Sequence, residues 1–167
     1  MEKYSKMRLL PKLSRILCRR PNAFAAIAGS KAYPDISGCV RFFQTACGVL
    51  VAAEVSGLPQ DSRGYNDSVF AFHIHEGENC NQNGNEPFSA VGSHYDKNVH
   101  THPFHSGDMP PLFGNGGYAL TVFLTDRFCI DDIIGRTVII HSGLDDFSTQ
   151  PSGNAGQKIA CGEIKKV

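Results

Sequence analysis

Six of the seven histidines in this chain, with one aspartate, have the types and order of a site for two metal ions. They are His73-Ile74-His75, then His94, His102, the run His105-Ser106-Gly107-Asp108, and finally His141. Neutral imidazole is the commonest protein ligand for copper and zinc, and a carboxylate completes a set for the harder of the two. Successive side chains of a β-strand point to opposite faces. In Ser68-Val69-Phe70-Ala71-Phe72-His73-Ile74-His75 the two rings therefore project from one face, and Phe70, Phe72 and Ile74 point the other way, into a core. The seventh ring, His100, reads as a solvent-exposed or core-satisfied histidine. It is the alternate ligand should the register be displaced by two from His102.

Strands have to hold such a set in place, and beyond residue 22 the chain reads as all-β. Candidate strands are residues 23–29, 39–45, 47–56, 68–76, 117–125, 134–142 and 158–165, punctuated by Ser37-Gly38, Ser56-Gly57-Leu58-Pro59 and Asn115-Gly116-Gly117. The segment Tyr118-Ala119-Leu120-Thr121-Val122-Phe123-Leu124-Thr125 is strand-like in its β-branched and aromatic content. The run Ile133-Ile134-Gly135-Arg136-Thr137-Val138-Ile139-Ile140-His141 brings His141 to a strand end. Two irregular stretches, about 77–116 and 142–157, contain or abut most of the polar motif. Loops of that length in a compact domain are usually functional or disordered.

The 167 residues suffice for one domain with a substantial core, and the formal net charge is zero. The charge is uneven: residues 1–20 carry seven cations against Glu2, a net +6, so the remainder nets −6. Residues 1–22 read as a basic, flexible, solvated arm ahead of a domain spanning 23–167. The most apolar part of the arm is broken by Pro11, Lys12 and Arg15, which argues against an export signal, and no run is long enough to span a bilayer. A cytoplasmic location is the expectation, with no nucleic-acid partner, no membrane span and a possible homodimer. The six cysteines show no Cys-x-x-Cys spacing, which argues against a cysteine zinc site.

From about residue 23 onward the sequence resembles the copper/zinc superoxide dismutase family. The resemblance rests on Ala71-Phe72-His73-Ile74-His75-Glu76, Val91-Gly92-Ser93-His94-Tyr95-Asp96, His105-Ser106-Gly107-Asp108, the segment from Gly135 to Asp146 around His141, and the segment from Gly153 to Gly162, in that order. It implies an eight-stranded antiparallel Greek-key β-barrel or sandwich, immunoglobulin-like, with two long loops. It also implies that superoxide anion is the substrate and that copper and zinc are the cofactors. By the same match His73, His75, His94 and His141 bind copper, and His94, His102, His105 and Asp108 bind zinc, with His94 bridging. Asp145 holds a ligand ring on each metal. Cys80 and Cys161 match the loop-to-strand disulfide of bacterial members. The implied cycle releases one superoxide as oxygen and a second as hydrogen peroxide, with His94 carrying a proton between the steps.

The chain departs from the family pattern in three ways. Lys158 stands where the family has an arginine beside copper; it keeps the charge and loses the planar fork. Only Pro103 and Phe104 separate His102 from His105, a much shorter zinc loop than usual. Residues 142–157 contain no Lys or Arg, so attraction of the anion falls to Lys158, with Lys97 or His100 as possible helpers. The competing reading is a non-catalytic copper/zinc-binding or copper-handling domain of the same fold. Lys158 is the residue that most favours it.

Overall fold

The computed structural model describes residues 10–60, 69–81 and 86–167. Residues 1–9 of the expected arm and Ser68 at the start of the expected 68–76 strand lie outside them. Apolar alternation sets the first three strands. In β1 (Ala23–Gly29), Ala23, Ala25 and Ile27 turn inward, joined by Val40 and Phe42 of β2 (Ser37–Thr45). β3 (Gly48–Ser56) adds Val49, Val51, Ala53 and Val55 to the same core. β4 (Val69–Phe70) and β5 (Phe72–His75) follow, then β6 (Leu112–Phe113), β7 (Ala119–Thr125), β8 (Thr137–His141) and β9 (Lys158–Lys166).

Seven strands form one antiparallel sheet in the order β5-β8-β9-β1-β2-β3-β7, curled into a half-barrel. The pair β4-β6 makes a separate ribbon, and its Phe70 and Leu112 enter the same core as Phe42, Phe72, Ile74 and Ile140. The chain passes from ribbon to sheet at Ala71, whose N–H donates to Gly143 (2.8 Å) and whose carbonyl accepts from His141 N–H (2.9 Å). Counted as one bent strand, Val69–His75 brings the total to the eight expected, in an all-β fold. The eighth, Leu112–Phe113, lies inside the stretch read as irregular, because two residues are too few to register as a pattern.

Two helices were not anticipated. Leu10–Leu17 forms α1, and its Leu13, Ile16 and Leu17 pack on Phe43, Leu50 and Ala52, the outer face of β2 and β3. The reading of residues 1–22 as a solvated arm therefore gives way over this stretch. Spacing of three and four residues puts the three apolar side chains on one helical face, and covering the sheet explains why β3 is buried on both sides. A single turn, α2 (Ile130–Ile133), precedes β8, its first turn tied by Asp132 accepting from the Cys129 N–H (2.7 Å). The strand expected from residue 134 begins only at Thr137, after Gly135 takes a left-handed turn (φ 80°). None of the helices among the described residues is long and apolar enough to cross a membrane.

The disulfide Cys80–Cys161 joins the long loop to β9 across 81 residues of sequence. Closing a loop of that length stabilises the fold by up to about 4.5 kcal/mol through the unfolded chain. It packs with Val91, Ile139 and Phe88, which holds the loop segment leading to Gly92 and His94 against the barrel.

Candidate metal centre

Strand β5 supplies the first two rings. His73 and His75 alternate with Phe72 and Ile74, and both rings are buried. On its open side β5 pairs with pieces of the long loop rather than with a regular strand. Ile74 N–H donates to Gly107 (2.9 Å), Tyr95 N–H to Ile74 (2.8 Å), Gly107 N–H to Tyr95 (2.7 Å) and Glu76 N–H to Ser93 (3.0 Å). These bridges set His94 opposite His75 and Asp108 opposite His73. His141 ends β8, where an irregularity in register between Ile140 and His141 leaves it facing Lys158 at the start of β9. Bulges of this kind re-aim side chains beside active sites.

The result is two donor groups that share one ring. His73, His75, His94 and His141 each bring a ring nitrogen within 4.8 Å of the others, and so do His94, His102, His105 and the carboxylate of Asp108. The His94 ring lies 3.9 Å from that of His73, 4.9 Å from that of His75 and 5.5 Å from that of His105, centre to centre. His100 belongs to neither group: its ring faces Asp96 (3.0 Å) at the surface.

Hydrogen bonds fix which nitrogen each ring presents. A carbonyl only accepts, so His75 Nδ1–H donates to Gly92 (2.9 Å) and His141 Nδ1–H to Gly156 (3.3 Å). Their Nε2 atoms are then bare lone pairs, facing each other at 3.4 Å. Asp145 accepts from His73 Nε2–H at Oδ2 and from His102 Nε2–H at Oδ1, both at 2.8 Å. That leaves Nδ1 of His73 and Nδ1 of His102 bare, and both are buried without a hydrogen-bond partner. His94 points Nδ1 at Asp108 Oδ1 (2.7 Å) and leaves Nε2 buried and unpartnered. His102 and His105 bring Nδ1 to 3.2 Å from Asp108 Oδ2 without hydrogen-bond alignment. Buried polar atoms nearly always find partners. Bare nitrogens converging on two common centres are the signature of cation sites, and the donor sets suit copper on one side and zinc on the other.

The electrostatics favour neutral rings at His73, His75 and His141 and ionised carboxylates at Asp108 and Asp145. Burial lowers His73, drives His75 well down and takes His141 to about 3, and neighbouring rings add to the effect. Burial, the largest single influence, works the other way on Asp108, but the bond to His94 and the attraction of the His94, His102 and His73 rings together bring the carboxyl below its ordinary value. Asp145 is likewise pushed up by burial, yet bonds from His73, the Phe147 N–H and His102 bring it down to about 2. A cation thus meets lone pairs rather than protons.

Several partners in this arrangement carry no side-chain signal in the sequence. Gly92 and Gly156 act through backbone carbonyls. Gly153 (φ 70°) leaves the room Asp145 occupies, since a Cβ there would fall 1.9 Å from Asp145 Oδ1. Gln150 pairs with the His102 backbone in both directions, at 3.0 and 2.7 Å, and joins the two long loops.

A cleft of about 380 Å³ opens onto the first donor group, bordered by His75, His94, His141 and Lys158. Glu86 also borders it, and its carboxylate pairs with Lys158 Nζ at 2.9 Å. Lys97 pairs instead with Asp132 (2.5 Å), and neither Lys97 nor His100 lines the cleft. The expectation that either assists Lys158 is thereby corrected: each is committed to a carboxylate elsewhere.

Comparison with known proteins agrees with this geometry. The family model described as copper/zinc superoxide dismutase (SODC) matches residues 36–164. The chain is 32% identical over 150 residues to a superoxide dismutase [Cu-Zn] of Deinococcus radiodurans, covering 79% of each chain. It is 36% identical over 140 residues to one of Legionella pneumophila, covering 79% of this chain and 80% of the relative. Among solved structures, a double mutant of a SOD-like protein from Bacillus subtilis superposes with a TM-score of 0.64 at 23% identity, over 84% of this chain and 95% of that one, a likeness of fold.

Proposed function

This chain belongs to the copper/zinc superoxide dismutase family, and from that premise we propose how its own residues divide the work. It is an oxidoreductase that disproportionates superoxide to oxygen and hydrogen peroxide, with copper and zinc as cofactors. His73 through Nδ1, and His75, His94 and His141 through Nε2, hold copper. His94, His102 and His105 through Nδ1, with Asp108, hold zinc. The observation that carries this assignment is the set of buried, bare ring nitrogens gathered in two overlapping groups. Each costs roughly 1–3 kcal/mol if left unsatisfied.

Copper, when bound by its four rings, would supply the one-electron redox chemistry; zinc, which has none, would be held by His94, His102, His105 and Asp108. His94 is the proton carrier. Its Nδ1 is held on the Asp108 side while Nε2, on the copper side, takes up a proton in one half-cycle and gives it back in the next. Gly92 and Gly156 keep the His75 and His141 rings from turning. Dismutation by the protein loaded with both metals, set beside His94→Ala loaded in the same way, tests the reading. The variant is expected to be slower by at least roughly 100-fold. Equal rates would leave a copper- and zinc-binding domain without turnover.

Lys158, across the strand pair from His141, supplies the positive charge that draws the anion into the cleft. Its partner Glu86 is 69% exposed at the side chain, so the pair opens readily and acts through its charge rather than as a lock. Glu86→Gln is expected to raise the second-order rate with superoxide by roughly 2–10-fold at low ionic strength and to steepen its decline with salt. A rate unchanged at every ionic strength would take Lys158 out of this role.

A further inference from the structure

The zinc-side segment His102–Asp108 is tied at His102 by Gln150 and at Gly107 by Tyr95 and Ile74, but the Pro103-Phe104 turn between them has little of its own to hold it. Phe104 is 64% exposed, so it gives the segment no apolar anchor. Its internal backbone bonds are short-range, Phe104 N–H to Thr101 (2.9 Å) and Asp108 N–H to His105 (3.2 Å). Yet His105 and Asp108 must both turn toward the shared ring.

Gln150 holds the His102 backbone and Asp96 accepts from the Ser106 N–H, and one cation grips the segment at three carbonyls. Arg127 Nη1 lies 3.0 Å from the carbonyl oxygen of Pro103, 3.1 Å from that of His105 and 3.3 Å from that of Asp108. Arg127 itself stands just beyond β7, with its N–H on Thr125 Oγ1 (3.2 Å), so the grip is anchored to the edge strand of the sheet. Among the described residues no carboxylate is within ion-pair distance of Arg127. Its charge-assisted donors go to carbonyl oxygens alone, and such bonds are about twice as strong as neutral ones. The three contacts fix the backbone from which the His105 and Asp108 side chains reach toward His94.

We propose that Arg127 is a positioning residue for the His105 and Asp108 end of the zinc side: a three-carbonyl clamp that replaces the length this loop lacks. The inference rests on the reading that His94, His102, His105 and Asp108 hold zinc. Competition with a chromophoric chelator measures zinc and copper affinity separately, and cobalt(II) placed on the zinc side reports its geometry through its visible absorption. Arg127→Gln is expected to weaken zinc binding roughly 10–100-fold, as loss of an outer partner does, with copper affinity within a few-fold of the parent and an altered cobalt spectrum. Arg127→Lys, whose ammonium offers three donors, is expected to recover part of the loss. Zinc affinity and cobalt spectrum unchanged in Arg127→Gln would overturn the clamp, as would equal losses for both metals. Failure of both variants to fold would also overturn it, since the arginine would then support the whole barrel. A parent protein that takes up no zinc would instead sink the reading of the donor group itself.

Discussion

Asp145→Ala is expected to lower the affinity for copper and for zinc together, each by roughly 10–100-fold. The carboxylate is 1% exposed and divides its two oxygens between the donor groups, Oδ2 to His73 on one side and Oδ1 to His102 on the other. It accepts from Nε2–H of both rings and leaves Nδ1 of each bare, toward its donor group. Without it each ring is free to turn or to change tautomer, and each loses a charge-assisted bond in a buried place. Gly153→Ala should repeat the effect from the opposite side, because its Cβ would fall 1.9 Å from Asp145 Oδ1 and 2.7 Å from His102 Nε2. Titration of each metal against a competing chelator measures the change. Loss confined to one metal would show that the other ring is held by its packing and not by the carboxylate.

How far the site was legible in the sequence depends on which part of a residue acts. The His-x-His pair of β5 was readable because strand alternation fixes two side-chain directions at once, and His141 because a hydrophobic run ends on it. Asp145 and the cysteine pair came from resemblance, since no local rule links residues that meet across 72 or 81 positions. Gly92 and Gly156 lie in segments that carry the resemblance, but the work of their carbonyls, like that of the distant side chains Gln150 and Arg127, follows only from how the loops fold. The Glu86–Lys158 pair was hidden for the same reason, being 72 positions apart. The fold was more readable than the site. Its misses were a strand of two residues, the single helical turn Ile130–Ile133 that delays β8 to Thr137, and a helix whose basic side chains mask the apolar face of Leu13, Ile16 and Leu17. The nearly unbroken hydrophobic run of β3 held the missing signal, for a strand buried on both faces needs a cover.

The second large effect concerns acid and the metal-free protein. His75 lies well below 6.5 and His141 at about 3, burial being the first cause in both and repulsion from neighbouring rings the next. The unfolded chain therefore binds protons at these rings from about pH 6.5 downward, while the folded chain does not. Because the unfolded state holds more protons, stability rises with pH over this range; it is fully present above the unfolded value and lost as pH falls toward the folded one. The slope for His141 approaches about 1.4 kcal/mol per pH unit, so this ring alone removes about 1 kcal/mol between roughly pH 6.5 and 5.5, and His75 adds to the loss in the same direction. His73, lowered by burial against its bond to Asp145, adds in the same direction. Asp108 and Asp145 add as well, but only below the ordinary carboxylate value of 3.8, so the loss at milder acidity belongs to the histidines. Urea midpoints of chelator-stripped protein should accordingly fall steadily from near-neutral pH to about pH 5. The protein loaded with copper and zinc should hold its midpoint over the same interval, because a nitrogen bound to a metal cannot take a proton until the ion leaves. A flat midpoint for the stripped protein would mean that the rings escape their buried positions once the ions are gone. The donor groups would then be assembled by the metals, and not built in advance by β5, β8 and the loop that bridges them.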